Sequence, residues 1–458
     1  MIFSSLEFIF IFLPIFFISY FTVPIKYRNY ILLIGSLIFY IIGSWNHPNY
    51  IILLLSAILI NYSIGKKISK NKNKLLLSFG IIYNLMWLIL FKYSDFIISI
   101  ISDITNVSIE SFNLLLPIGI SFYTFQSISY LVDVYKGKYE AEQSILKYGM
   151  YVLMFPQLIS GPIVTYDYIS KQLKDRKHST KNIIIGLKYF VIGLGFKVLL
   201  ANRIGCLWND INTIGIESIS TGVAWLGIIG YSLQIYFDFF GYSLMAVGIG
   251  RMMGFILPIN FKTPYLSTSM TEFFRRWHIS LGNWFKNYIY IPLGGNRNGK
   301  WRTIFNLLVV WMLTGLWHGA NYNFILWGLF IFLIIVIEKL WLKQYLDKYK
   351  IFGHIYMLIL IPITWSIFAI TDIQDLGIMI NKLFTLSEGL YVLDFIKYTK
   401  MYGGLIVIGI LCVTKLPEKL LKQNSNTVLN TIIITLIFVS SVYYLYIGLN
   451  NPFLYFSF

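Results

Sequence analysis

Charge is scarce in this 458-residue chain: Asp, Glu, Lys and Arg make up 12% of it, about half the share found in an ordinary soluble domain. A chain so poor in charge and 57% hydrophobic is not a soluble enzyme. Cysteine is nearly absent. Cys206 and Cys412 both lie in or beside apolar stretches, which excludes a disulfide framework and a Cys-rich metal site and sets no redox compartment. Acids are few, 20 against 37 Lys and Arg, for a net charge of +17. In a soluble protein that balance would raise nucleic-acid binding; among apolar stretches it points to cytoplasmic loops instead, and no nucleic-acid partner is expected. Phosphate loops, metal-ligand clusters, nucleophile elbows and redox pairs are missing too, so neither a metal nor a permanently bound cofactor is expected.

Apolar stretches long enough to cross a bilayer recur from Leu6 to Ile447, which predicts an all-α polytopic membrane protein. Leu6–Val23 lacks a basic leader and a small-residue cleavage site and reads as a retained first helix with its N-terminus outside. Asn29–Trp45, Asn49–Gly65, Leu75–Ile98 and Leu114–Val132 are the next four. Lys66–Lys74 carries five lysines and no acid, so that loop is placed in the cytoplasm. Ile183–Arg203, Gly222–Gly248, Ile304–Trp317, Phe324–Ile337, Gly353–Ile370, Tyr402–Val413 and Val428–Ile447 bring the expectation to about twelve crossings, within a range of eleven to thirteen, in one domain over 1–458. Its parts are N-terminal helices over 1–110, a core over about 111–340 and C-terminal helices over 341–458.

Two stretches break the pattern. Tyr148–Ile163 contains Pro156, Gly161 and Pro162 and precedes a lysine-rich loop; a re-entrant dip from the cytoplasmic side fits it, since irregular backbone at membrane depth must be buried in protein or line a wet cavity. Arg251–Arg302 is aromatic and basic with the single acid Glu272, too polar to cross. Within it, Met270–Asn287 reads as one helix lying in the headgroup plane, with Phe273, Trp277, Trp284 and Phe285 inserted. Leu376–Ile396 reads as an outer-surface helix or part of another hairpin.

Polar groups inside apolar sequence are costly and therefore candidate functional residues. His47, His178 and His354 sit in expected loops and are set aside. His318 lies between Trp317 and Gly319, after a fourteen-residue apolar run that spans about 21 Å as a helix, short of the ~30 Å hydrocarbon core. The imidazole is therefore expected to be recessed, neutral and able to take a proton from a hydroxyl, with Gly315, Gly319 and Ala320 leaving room for a substrate. A histidine buttoning two helices together fits the residues as well. His278 comes directly after Arg275, Arg276 and Trp277, where the cations face lipid phosphates or clamp the phosphates of an anionic donor. Asp238 and Gln157 are further candidates for substrate binding, with helix-packing hydrogen bonds as the alternative. Trp317 and Asn321 complete the set.

Several ordered motifs together resemble the membrane-bound O-acyltransferase family, and within it the alginate O-acetyltransferase branch. They are Leu116-Pro-Ile-Gly-Ile-Ser-Phe122, Phe155-Pro-Gln-Leu-Ile-Ser-Gly-Pro162, Tyr236-Phe-Asp-Phe-Phe-Gly-Tyr-Ser-Leu-Met-Ala246, Thr271-Glu-Phe-Phe-Arg-Arg-Trp-His-Ile-Ser-Leu281, Tyr288-Ile-Tyr-Ile-Pro-Leu-Gly-Gly-Asn-Arg297, Gly315-Leu-Trp-His-Gly-Ala320 and the closing Asn451-Pro-Phe-Leu-Tyr-Phe456. The resemblance implies that His318 is the catalytic histidine and His278 the second one, and that a funnel from each membrane face meets near His318. The Ile291-Pro-Leu-Gly-Gly295 pattern resembles the acetylating branch, whereas Leu244 resembles the teichoic-acid D-alanylation branch.

Motifs and hydropathy together lead to the expectation of an O-acetyltransferase in a bacterial inner or plasma membrane. It would take acetyl from a cytoplasmic thioester, acetyl-CoA or an acyl carrier, toward a hydroxyl of an exported polysaccharide, with His318 as general base or as a nucleophile that forms an acetyl-His318 intermediate. The resemblance also implies a separate extracytoplasmic partner that completes the transfer. D-alanyl or other acyl transfer to a cell-wall polymer is the alternative within the class, and a transporter or flippase for a lipid-linked sugar is the alternative outside it.

Overall fold

The computed structural model describes residues 1–158, 161–391, 393–417, 428–448 and 454. Helices and the turns between them make up the described residues, with no strand among them. The chain divides into two compact units: Met1–Gly186 with Ile249–Pro258, and Leu187–Gly248 with Ile259–Phe458. The divide falls inside the stretch that the sequence assigns to one central core.

Nine helices among the described residues are long and apolar enough to cross a membrane. Phe8–Thr22, Ile120–Tyr135 and Gly299–His318 occupy the three other places where the sequence predicts a crossing. Several bounds move. Leu114–Val132 yields a helix only from Ile120, because Pro117 and the left-handed Gly119 (φ +73°) hold the preceding backbone out of a helix. Ile183–Arg203 lies within a longer helical stretch, Thr180–Ile214, and the short Tyr402–Val413 becomes Asp394–Cys412. Leu376–Ile396 separates into the helix Ile373–Phe384 and the start of Asp394–Cys412. Tyr148–Ile163 holds two short buried helices, Ile145–Leu153 and Phe155–Leu158; its Ile159 and Ser160, like all of the closing Asn451–Phe456 motif except Leu454, lie outside the described residues.

The first unit packs around an aromatic cluster of Phe3, Phe8, Phe12, Phe16, Phe39 and Phe155, with ring centroids 4.9–6.3 Å apart. Ile120–Tyr135 is buried on nearly every face, as expected of a helix enclosed by others. The second unit has its own core running from Ile192 to Val413. Small residues set two close helix crossings there. A Cβ at Gly193 would lie 2.4 Å from the Gly241 carbonyl oxygen, and one at Gly315 would lie 2.3 Å from that of Phe324. Such backbone contact is how apolar helices associate where lipid removes the hydrophobic drive.

Candidate active site

His318 ends the helix Gly299–His318, which at 20 residues spans about 30 Å. The helix begins before the fourteen-residue apolar run, at Gly299, and takes in Lys300 and Arg302 ahead of it. Packing against other side chains buries His318. After it the backbone extends at Gly319, and Asn321 caps the next helix, Tyr322–Ile337, by accepting from the Asn323 amide. The glycines have another use than the one expected of them. Gly315 admits the facing backbone at Phe324, and a Cβ at Gly319 would meet the Phe324 ring at 2.0 Å. They hold the hairpin closed and leave no gap for a substrate. His318 is 8% exposed and stands edge-on to three rings: Trp317 at 5.0 Å, Trp327 at 5.2 Å and Phe368 at 5.2 Å.

The stretch expected to be one interfacial helix is broken at His278. Met270–Arg276, capped by the Ser269 hydroxyl, stops at Trp277; His278 takes a left-handed conformation (φ 43°, ψ 54°), and Ile279–Phe285 starts afresh. A non-glycine residue in this region costs on the order of 1–3 kcal/mol and persists only where its surroundings hold it. Here Asn260 does so: its carbonyl accepts from the Ile279 amide at 2.9 Å and its Oδ1 from the Ser280 amide at 3.2 Å, while the Lys262 amide donates to the Arg276 carbonyl at 2.9 Å. Phe273, Trp277, Trp284 and Phe285, expected in lipid, are all buried in the protein. His278 is buried as well. Burial pushes its imidazole down to about 3, so it is neutral near pH 7.

The kink brings the two histidines against one side chain. Trp317 lies 5.9 Å from the His278 ring and 5.0 Å from the His318 ring, centroid to centroid, and Phe239 stands edge-on to His278 at 4.7 Å. A cavity of about 20 Å³ is lined by His318, Asp238, Trp277, Trp365, Phe368 and Leu454 among others, room for one water molecule.

Asp238 is half of a buried ion pair. Its Oδ1 lies 2.5 Å from Lys197 Nζ, with both side chains almost fully enclosed; Oδ2 accepts from the Leu454 amide at 2.9 Å, and Lys197 also donates to Asn202 Oδ1 at 2.8 Å. The Gly193–Gly241 crossing explains the pairing, because Lys197 is one helical turn from Gly193 and Asp238 lies three residues before Gly241.

The other candidates fall elsewhere. Arg275 is exposed, and Arg276 pairs with Glu272 at 2.5 Å, both about one-third exposed. Gln157 belongs to the first unit, where it is buried and its Nε2 donates to the Tyr151 carbonyl. Lys197, Asn260, Trp365 and Phe368 are site residues that sequence reasoning passed over. Only Lys197 carried a signal, a cation, like Lys188, inside an otherwise apolar run.

Two buried histidines on one tryptophan, beside a small cavity that a carboxylate lines, are thus enclosed among the apolar helices of a multi-pass membrane protein. The model of the family described as "MBOAT, membrane-bound O-acyltransferase family" matches residues 141–374, and the chain belongs to that family. It is an O-acyltransferase. Among its relatives, a Pseudomonas putida protein named "Probable alginate O-acetylase AlgI" is 35% identical over the whole of both chains. A Helicobacter pylori "Peptidoglycan O-acetyltransferase" is 37% identical over 72% of this chain and 68% of its own. A Lacticaseibacillus rhamnosus "Teichoic acid D-alanyltransferase" is 29% identical over 56% of this chain and 69% of its own.

Proposed function

We propose that this protein moves an acetyl group from a cytoplasmic thioester, acetyl-CoA or an acetylated carrier, to a hydroxyl group of an exported cell-surface polysaccharide, and that it works in a bacterial inner or plasma membrane. The observation that carries the reading is the meeting of His278 and His318 on Trp317 beside the cavity that Asp238 lines. The two acetyltransferase relatives cover more of the chain, at higher identity, than the D-alanyltransferase, which favours acetyl over D-alanyl. The transporter reading is set aside because the chain belongs to a family of O-acyltransferases.

In the reaction, His318 accepts the proton of the hydroxyl that first receives the acetyl group as its oxygen attacks the thioester carbonyl, and then returns the proton to the departing thiolate. Asp238, paired with Lys197, stabilises the imidazolium formed between those two steps. His278, neutral, positions donor or acceptor, with Trp277, Trp317 and Asn321 shaping the approach. Arg275 and Arg276 serve the anionic end of the donor. A separate extracytoplasmic protein completes transfer to the polymer.

The test traces label from radiolabelled acetyl-CoA in membranes carrying the wild-type chain or His318→Ala, with the partner supplied. Label reaches the polymer with wild type and falls at least ~100-fold with the variant, while the variant stays inserted. Undiminished labelling by His318→Ala sinks the assignment; labelled polymer made by the purified chain alone removes the partner.

A further inference from the structure

Glu338 is a buried acid to which the reaction gives no part. It lies in the most apolar of the long helices, Tyr322–Lys348, and is 1% exposed. No Lys or Arg lies within ion-pair distance among the described residues. A carboxylate buried without a cation persists only if hydrogen-bond donors replace its water. Four donors do. Oε1 accepts from the Met270 amide at 2.5 Å and the Tyr356 hydroxyl at 3.2 Å; Oε2 accepts from the Thr271 amide at 2.9 Å and the Thr271 hydroxyl at 2.6 Å.

Met270 and Thr271 open the short helix that ends in Arg276, Trp277 and His278. The helix bearing Glu338 begins four residues after His318 and is locked to the His318 helix where Gly315 and Gly328 meet. One rod therefore holds His318 through the hairpin at one end and the start of the His278 segment through Glu338 at the other. We propose that Glu338 is a positioning residue that sets His278 against Trp317 and His318, an inference that rests on the role proposed for His278.

Glutamine is the informative replacement. Both carboxylate oxygens accept from backbone amides, so an amide side chain must turn its NH2 toward one N–H donor whichever way it is flipped. In the acetyl-transfer assay, Glu338→Gln is expected to lower kcat roughly 100-fold, the cost of displacing a reacting group by about 1 Å, with KM for acetyl-CoA unchanged. Glu338→Asp recovers part of the loss. In a His278→Ala background, Glu338→Gln costs nothing further, because both changes remove one contribution. Thr271→Val, which takes away a single donor, reads the same coupling at smaller amplitude if Glu338→Gln does not accumulate in the membrane. A wild-type rate for Glu338→Gln, a loss that multiplies fully with His278→Ala, or a normal kcat per folded molecule overturns the positioning role. A wild-type rate for His278→Ala overturns the reading of His278 itself, and the positioning role with it.

Discussion

Each of the two units buries a polar pair between apolar helices, and the pairs differ in kind. In the first, Asn61 and Asn84 each donate from Nδ2 to the other's Oδ1, at 3.0 and 2.7 Å, and to a carbonyl one turn back on their own helices. The pair is neutral and meets its own needs. In the second, Lys197 and Asp238 are charged, and Asp238 also lines the cavity that His318 shares. Neutral amides are an inexpensive way to fix a helix crossing in lipid. A charged pair is costly to bury, and its retention beside a pocket is expected where the charge has work to do.

The largest effect expected from this contrast comes from breaking the charged pair. Asp238→Leu alone strands Lys197 and should cost about 3–5 kcal/mol, seen as a lowered melting temperature of the detergent-solubilised protein. The double change Lys197→Met with Asp238→Leu should restore most of that stability, yet leave acetyl transfer at least ~100-fold down. A double variant that transfers at the wild-type rate would reduce the pair to helix glue and erase the contrast.

Next comes Gly315→Ala. Its methyl group would stand 2.3 Å from a backbone oxygen that cannot swing aside; the helices must part, at about 1–3 kcal/mol. Transfer should fall more than stability, since the same crossing sets the position of His318; equal losses would separate the glycine contact from the site. Smaller still, Asn61→Ala should cost about 0.6 kcal/mol and no more than ~1.7, with transfer per folded molecule unchanged. An Asn61 variant that folds but transfers slowly would make the first unit's pair functional after all.

A separate effect is on pH dependence. His278 is held neutral by burial, down to about 3, and His178 is lowered to about 4 by burial and then by the nearby Arg28 and Arg176 charges. Below the unperturbed histidine value of ~6.5 the unfolded chain takes up protons that the folded chain refuses, so stability rises with pH between about 4 and 6.5 and is lost on acidification. Melting temperatures across that window should show the slope, and His278→Gln should flatten it. An unchanged slope would mean that His278 titrates normally in the folded protein.

Much of the membrane architecture was legible because hydropathy is local: an apolar run announces its helix wherever that helix packs. The failures occurred where a few residues overrule a run. Pro117 and Gly119 delay a helix that hydropathy starts at Leu114, and a left-handed His278 breaks one that aromatic and basic spacing had carried through to Asn287. His318 and His278 were visible as polar residues in apolar or aromatic surroundings. Glu338 was not, because it sits where an apolar run ends and resembles an ordinary boundary residue.

Composition and the succession of apolar runs determined by themselves that this is a multi-pass membrane protein, and the ordered motifs carried the resemblance to the membrane-bound O-acyltransferase family with its two candidate histidines, since each of those signals is read within a short stretch of chain. Tertiary structure alone decided that the histidines, forty residues apart, meet on Trp317, that Lys197 finds Asp238 across a glycine crossing, and that the glycines around His318 close a hairpin instead of opening a pocket. Those outcomes depend on how closely two helices approach and at what rotation, which is set by the backbone of both partners at once.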